Sequence, residues 1–267
     1  MKLILLLYFA TALQLSFSQQ ERSSFSIGQI VEFDSGILAE KRKLNIYLPE
    51  YYYQDTCRYE VVYLLDGSEN EDFLHVVGLV QFLCMYELLP KTIVVGIANV
   101  DRKRDFTYPT TIEQDKIDFP TTGGSAKFID FLGQELIPFI ENNFKVNSKK
   151  TIIGQSLGGL LATEILLKNP RLFNQYIIVS PSLWWDNESL LKIQSEIFSP
   201  LFSHSLHVYV AVGEEGKIMK RDAKKLAHSL NRSKSKSLVT EFHYFPKENH
   251  MTILHQAIYW ALKTAKE

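Results

Sequence analysis

Short apolar segments alternate with helix-like segments along most of this 267-residue chain. Apolar runs of this length, bounded by turn residues, are typical of strands that are buried on both faces of a parallel sheet. Because consecutive parallel strands need a crossover connection, this alternation restricts the chain to an α/β architecture. The runs lie at residues 60–65, 92–97, 151–153, 176–179, 206–212 and 238–245.

Two further strand candidates precede these runs, at residues 25–33 and 43–48. Together they predict an antiparallel entry to the sheet, which then has eight strands and is mostly parallel, with helices on both faces. The longest predicted helix covers residues 125–143 and should be distorted at Pro138. No repeat or linker divides the chain, so a single domain is expected over residues 19–267.

Composition excludes several classes of function. The chain is 46% hydrophobic, as a globular protein is, and its formal net charge is −1. A nucleic-acid binder normally has a clear basic excess, so no nucleic-acid partner is expected. Two cysteines are too few for a disulfide scaffold or a cysteine-rich zinc site.

The first residues have the pattern of a secretory signal. Lys2 precedes an apolar run over residues 3–15, and small residues follow, so residues 1–18 are predicted to be removed after Ser18. The run is shorter than the roughly 20 apolar residues of a spanning helix, so no stable membrane anchor is expected. The mature chain would be secreted or periplasmic, where Cys57 and Cys84 could pair, although Cys84 also fits a small buried hydrophobe.

The strongest functional signal is a Gly-x-Ser-x-Gly pattern formed by Gly154, Ser156 and Gly158. It follows an apolar strand and precedes an apolar helix, which is the context of a nucleophile elbow. Glycines on either side let neighbouring backbone approach the serine closely. The sequence therefore predicts that Ser156 is a nucleophile, and that the N–H of Leu157 helps to bind an oxyanion.

A serine nucleophile needs a base, and in this type of fold the order along the chain is serine, acid, histidine. His250 lies in a loop between the last strand and the last helix, at the carboxyl end of the sheet where catalytic groups gather. Three other late histidines fall within predicted helices or a strand, namely His228, His243 and His255. His250 is therefore the predicted base.

The acid and the second oxyanion donor are less sharply defined. Glu214 and Glu215 both follow the strand at residues 206–212, and either could orient the imidazole. Glu214 is slightly preferred, and Asp186 is a more remote candidate. The second N–H donor should come from the loop after the third strand, at Gly67 or Ser68.

Five motifs spread over nearly the whole mature chain resemble the putative-esterase family, which contains esterase D-like enzymes and siderophore esterases. The most discriminating of them is the Ser-Pro-Ser-x-Trp-Trp stretch. The resemblance implies an α/β-hydrolase fold and catalytic roles for Ser156 and His250. The motifs are Leu64-Leu65-Asp66-Gly67, Gly154-Gln155-Ser156-Leu157-Gly158-Gly159, Ser180-Pro181-Ser182-Leu183-Trp184-Trp185, Val212-Gly213-Glu214 and Asn249-His250.

Two further pairs of residues are candidates for binding substrate. Arg102 and Arg104 match a basic loop that in this family lies beside the substrate pocket, although they could equally form a solvated charge cluster. Trp184 and Trp185 could wall an acyl or aryl pocket, since indole rings offer a large rigid apolar area, or they could pack in the core.

These observations predict a secreted serine carboxylesterase that acts on a small-molecule ester through an acyl-enzyme. The sequence contains no metal-ligand cluster, phosphate loop or dinucleotide fingerprint, so no metal or cofactor is expected. Two alternatives remain open: an acyltransferase that uses the same site, and a non-catalytic ligand-binding protein with the same fold.

Overall fold

A computed structural model describes residues 23–264, so the predicted signal segment at residues 1–18 lies outside the described residues. The strands are β1 (Gln29–Ser35), β2 (Glu40–Tyr47), β3 (Tyr59–Leu64), β4 (Thr92–Ile97), β5 (Val146–Gln155), β6 (Gln175–Val179), β7 (Leu206–Gly213) and β8 (Leu238–Phe245). The helices are α1 (Phe73–Met85), α2 (Arg102–Phe106), α3 (Glu113–Asp118), α4 (Ser125–Phe131), α5 (Ile137–Asn143), α6 (Leu157–Lys168), α7 (Trp185–Glu188), α8 (Lys217–Asn231) and α9 (Ile253–Thr264).

The eight strands form one sheet in the order β1-β2-β4-β3-β5-β6-β7-β8. β2 pairs antiparallel with both β1 and β4, and the remaining neighbours are parallel. The predicted antiparallel entry and the mostly parallel eight-stranded sheet are therefore confirmed. Since six parallel strands end at the same edge, the loops that follow β3, β5, β6, β7 and β8 are brought together there.

The core has two layers, one on each face of the sheet. α1 and α9 cover one face, and α4, α5, α6 and α8 cover the other. Strand residues alternate between the two layers as the pleat requires: Ile152 packs with α6 and Ile153 with α1 and α9. Both faces are apolar because both are covered, which explains the continuous apolar runs in the sequence.

Three segments have short or irregular helical structure, and the first of them shows the distortion predicted at Pro138. The predicted helix at residues 125–143 contains a π-helical turn at Leu132–Leu136, directly before Pro138, which lacks the N–H that a regular helix would use. The irregular segment 100–124 contains the short helices α2 and α3. Between α7 and β7 lie two 3-10 turns, Ser189–Lys192 and Glu196–Phe198, which are separated by the extended Ser195.

The cysteine pairing is not present. Cys57 and Cys84 are both free thiols, Cys57 exposed and Cys84 partly buried. The Cys84 thiol donates to the Pro90 carbonyl over 3.1 Å, which satisfies it at the end of α1. The second interpretation, a small packed side chain, describes Cys84 better.

Candidate active site

Ser156 lies in the tight turn between β5 and α6. Its backbone has φ 59° and ψ −118°, a combination that non-glycine residues rarely adopt. Its N–H donates to the Val179 carbonyl of β6 over 3.1 Å, so the turn is anchored to the neighbouring strand. A serine held in such a strained strand-to-helix turn has the geometry of a nucleophile elbow.

The glycines around Ser156 have unequal structural roles. A Cβ on Gly154 would lie 2.3 Å from the Gly158 carbonyl oxygen, a distance that no side chain can accept. A Cβ on Gly159 would lie 3.0 Å from Val179 O and Pro181 Cα, whereas one on Gly158 would make only ordinary contacts at 3.4 Å or more. The first glycine of the pattern is therefore the one on which the turn depends most.

His250 lies between β8 and α9, and its ring contacts one carboxylate. Nδ1 is 2.6 Å from Glu215 Oε2. The other carboxylate oxygen, Oε1, accepts hydrogen bonds from the Gly213 N–H at 2.9 Å and from the Ser180 hydroxyl. Burial of Glu215 opposes ionisation, but the hydrogen bonds from His250, Ser180 and Gly213 outweigh it, so the pKa of Glu215 lies below its usual value. The carboxylate is thus ionised and held in place beside the imidazole.

The structure contradicts the slight preference for Glu214 as the partner of His250. Glu214 turns outward, where its carboxylate bonds to Lys220 and to the Tyr244 hydroxyl. Asp186, the more remote candidate, accepts a hydrogen bond from the Thr111 N–H at 2.7 Å and fixes the segment before α3. Glu215 differs from Glu214 in its partners, because the Gly213 N–H, the Ser180 hydroxyl and the His250 ring all contact the Glu215 carboxylate.

Ser156 and His250 line the same pocket, a cavity of about 530 Å³ at the carboxyl edge of the sheet. The Ser156 hydroxyl lies 3.3 Å from Ser182 Oγ in the described structure. Because Glu215 occupies Nδ1 of His250, Nε2 is the ring nitrogen left to accept a proton from the serine. The other lining residues are Ser182, Trp184, Glu214, Glu215, Met219, Asn249 and Met251.

A direct hydrogen bond connects the turn that carries Ser156 with the loop that carries His250. The side-chain amide of Gln155, the residue before the serine, donates to the His250 carbonyl. Hydrogen bonds between a nucleophile and its base are often long in a free enzyme and tighten when substrate binds. The Gln155 contact holds the two elements together at the edge of the sheet.

The proposed oxyanion donors are only partly available. Leu157 begins α6, and the first N–H groups of a helix have no intrahelical acceptor, so its N–H can face the pocket. Gly67 and Ser68 do not match the prediction, since the Gly67 N–H donates to Ile97 O at 3.0 Å and the Ser68 N–H to Glu71 Oε2 at 3.2 Å. Gly67 is packed so closely on β4 that a Cβ would lie 2.4 Å from Gly96 Cα.

Arg102 and Arg104 are both paired with carboxylates of the fold and are not among the residues that line this pocket, so their contact with substrate stays a prediction. Arg102 Nε and Nη2 lie 2.6 and 2.8 Å from the two carboxylate oxygens of Asp66, and Nη2 lies 3.3 Å from Gln155 O. Arg104 bonds to Asp105 at 2.7 Å and to Glu40 at 2.6 Å. Each guanidinium group is thus held by carboxylates of the fold, Arg102 by Asp66 and Arg104 by Glu40 of β2 and the adjacent Asp105.

The two tryptophans have different positions. Trp184 lines the pocket beside Ser156. Trp185 is fully buried, and its indole N–H donates to the Tyr108 carbonyl over 2.9 Å. Only the first ring is therefore placed to touch a substrate, and the second packs in the core.

Comparison with known proteins assigns the chain to a family. A family model described as "Putative esterase" matches residues 35–266. The chain belongs to the putative esterase family. Among curated proteins, ferri-bacillibactin esterase BesA of Bacillus subtilis is 31% identical over 176 residues, which are 61% of this chain and 61% of that protein. The match thus spans less than two thirds of that relative's length.

Solved structures of similar proteins agree with this membership of the putative esterase family. A crystal structure of an IroE-like serine hydrolase from Shewanella oneidensis has a TM-score of 0.78 and 30% identity, covering 89% of this chain and 79% of that one. The BES protein of Bacillus cereus has a TM-score of 0.80 and 26% identity, covering 92% of this chain and 97% of that one. The α/β-hydrolase fold expected from the sequence is therefore confirmed.

Sequence reasoning missed four residues of the site. Ser182 and Ser180 belong to the Ser-Pro-Ser stretch, which carries the family resemblance but predicts no role for either hydroxyl. Met219 and Met251 line the pocket from the start of α8 and from the loop before α9. The position of Ser180 and Ser182 directly after β6, at the functional edge of the sheet, was a usable signal.

Residues 23–264 contain no group of three or more His, Cys, Asp or Glu side chains arranged to hold a metal ion. Within the same range, no helix has the length and apolar composition needed to cross a membrane.

Proposed function

We propose that this protein hydrolyses carboxylic esters, with Ser156 as nucleophile, His250 as general base and Glu215 as the acid that orients the histidine. The observation that carries the proposal is the 2.6 Å contact of Glu215 with His250, in a pocket that Ser156 also lines from a strained strand-to-helix turn. These are the groups that a serine hydrolase uses, in the chain order of the α/β-hydrolase fold.

In the proposed reaction the Ser156 hydroxyl oxygen attacks the ester carbonyl carbon while His250 Nε2 takes its proton. The negative charge that forms on the carbonyl oxygen is stabilised by the Leu157 N–H at the start of α6. His250 then gives the proton to the leaving alcohol as the C–O bond breaks, which leaves an acyl group on Ser156. A water molecule, deprotonated by the same histidine, releases the carboxylic acid and restores the serine.

Siderophore-type esters with an aromatic acyl group are the proposed substrate class. The support is the similarity to ferri-bacillibactin esterase, together with the character of the pocket walls. Trp184, Met219 and Met251 present an aromatic ring and two thioethers around the serine, which suits contact with a flat ring.

The test is turnover of an ester panel that ranges from p-nitrophenyl acetate to aryl esters and a catecholate siderophore lactone. Ser156→Ala should lose turnover by at least about 10³-fold, because the nucleophile is gone. Ser235→Ala is the matched control, since it removes a buried hydroxyl that does not line the pocket and donates to the Phe202 carbonyl over 2.8 Å, and it should keep most activity. Equal rates in wild type and Ser156→Ala would end the proposal.

Product analysis separates the alternatives on the same site. With an added alcohol acceptor, release of only the free acid indicates hydrolysis, whereas a new ester product indicates acyl transfer. Tight binding of a siderophore without turnover by the wild-type protein would instead indicate a ligand-binding protein.

Export is a further part of the proposal, and it is supported by the basic start and short apolar run of residues 1–15. The expected mature protein begins near Gln19 and is recovered from the periplasm or the medium. Mass spectrometry of the protein from each compartment tests this, and a full-length chain confined to the cytoplasm would contradict it.

A further inference from the structure

Ser180 occupies an unusual position directly after β6. The residue is completely buried, and its φ of 44° is in the left-handed region that serine rarely adopts. Its N–H donates to the Ala211 carbonyl of β7 over 2.8 Å, which fixes the backbone between the two strands. A strained, buried polar residue at the functional edge of a sheet suggests a specific task for its side chain.

The Ser180 hydroxyl donates to one oxygen of the Glu215 carboxylate. That oxygen, Oε1, also accepts the Gly213 N–H at 2.9 Å, while the second oxygen, Oε2, lies 2.6 Å from His250 Nδ1. The Glu215 side chain is only 2% exposed. The two oxygens are thus divided between two functions, because one is held by the fold and the other faces the imidazole.

We propose that Ser180 is a positioning residue for ester hydrolysis, which fixes the buried Glu215 carboxylate so that it directs His250 toward Ser156. The inference rests on the proposed function. Ser180 does not itself line the pocket that contains Ser156, so it acts through Glu215 and not on the substrate.

Within residues 23–264, three groups from different elements form hydrogen bonds with the Glu215 carboxylate. They are the His250 ring from the loop before α9, the uncharged Gly213 N–H from β7 and the Ser180 hydroxyl from the end of β6. The neighbouring Glu214 turns its carboxylate to Lys220. Among the described residues, the Ser180 hydroxyl is therefore the one side-chain donor besides His250 that holds this carboxylate.

Removal of the Ser180 hydroxyl takes away a donor that favours the ionised carboxylate. The pKa of Glu215 should then rise, so the acid limb of the kcat/KM profile should move up by about one pH unit. The carboxylate also loses one of its two anchors on Oε1, so kcat at neutral pH should fall roughly 10-fold. KM should stay within about twofold, because the pocket walls are unchanged.

The experiment compares pH profiles of p-nitrophenyl acetate hydrolysis for wild type, Ser180→Ala and Ser180→Gly. Both variants lack the hydroxyl, but glycine adopts a φ of 44° without strain, so it isolates the side chain from the backbone. Ser235→Ala is the matched control, because Ser235 is also buried and its hydroxyl donates to the Phe202 carbonyl over 2.8 Å, far from Glu215.

The proposal expects the same upward shift of the acid limb and the same loss of kcat in Ser180→Ala and Ser180→Gly, with a wild-type profile for Ser235→Ala. A wild-type profile and kcat in Ser180→Gly would overturn it, since the role of Ser180 would then be conformational. If the wild-type enzyme is active and both Ser180 variants have its kcat and pH profile, the positioning role alone is overturned. Absence of wild-type turnover overturns the proposed function and the positioning role together.

Discussion

Exchange of one of the two adjacent glutamates at the end of β7 tests the site directly. In Glu215→Gln, the amide has a shape like that of the carboxylate but carries one NH₂ group. With NH₂ at the Oε2 position, the amide donates a hydrogen bond to His250 Nδ1, so Nδ1 must be the unprotonated ring nitrogen. The ring proton is then on Nε2, and Nε2 cannot take a proton from Ser156. With NH₂ at the Oε1 position, it faces the Gly213 N–H, which is also a donor.

Either orientation of the amide therefore breaks one of the contacts that hold the imidazole in its working state. A wrong histidine tautomer in a serine–histidine–acid site costs about 10⁴-fold in kcat. We expect a loss of 10³- to 10⁴-fold for Glu215→Gln, with KM little changed. The Glu215 side chain is 2% exposed, so water cannot replace the lost contacts.

Glu214→Gln is the matched control, one residue away with the same change of charge. The Glu214 side chain is 52% exposed and its partners are Lys220 and the Tyr244 hydroxyl. Exposed ion pairs of this kind contribute little, so activity should remain within about twofold of wild type.

The assay is steady-state hydrolysis of p-nitrophenyl acetate by both variants, with thermal denaturation followed by circular dichroism to show that they are folded. If Glu214→Gln lost as much activity as Glu215→Gln, or if Glu215→Gln kept more than a tenth of the wild-type kcat, the assignment of Glu215 would be refuted.

Three further predictions follow from the geometry of the site. Gly154→Ala should destabilise the fold by about 2–4 kcal/mol and remove activity, because the new methyl group would lie 2.3 Å from Gly158 O; calorimetry checks this. Trp184→Ala should raise KM for aryl esters with little change in melting temperature, whereas Trp185→Ala should lower stability by about 3–5 kcal/mol, since Trp185 is fully buried. Because the pKa of Glu215 is depressed by its contacts, its contribution to stability should be present above about pH 4.3 and be lost as pH falls further, so melting temperatures of wild type and Glu215→Gln should converge toward pH 3.

The fold and the serine turn could be predicted because their determinants are local in the sequence. The apolar runs indicate that both faces of the sheet are covered by helices. The spacing of Gly154, Ser156 and Gly158 indicates a turn in which β5 and α6 approach each other closely. The position of His250 at the carboxyl edge of the sheet could be predicted because His250 follows the last strand, and the loops that follow parallel strands lie at one edge.

The acid could not be selected from sequence because its environment comes from distant segments. Glu214 and Glu215 are adjacent and chemically identical, and they differ in what surrounds them: Ser180 lies 35 residues before Glu215 and His250 lies 35 residues after it. The arginines raise the same difficulty, since the carboxylate that binds Arg102 lies 36 residues away at Asp66. Partners at such separations are set by the topology of the sheet.

Covalent labelling of the serine tests the central claim most directly. An activated phosphonate ester reacts with a hydroxyl only when a neighbouring base removes its proton, so its rate reports activation of Ser156 by His250. We predict one adduct per chain, located on Ser156 by peptide mass spectrometry, and labelling at least about 10³-fold slower in His250→Ala. An adduct on another residue, or an equal labelling rate in His250→Ala, would contradict the account.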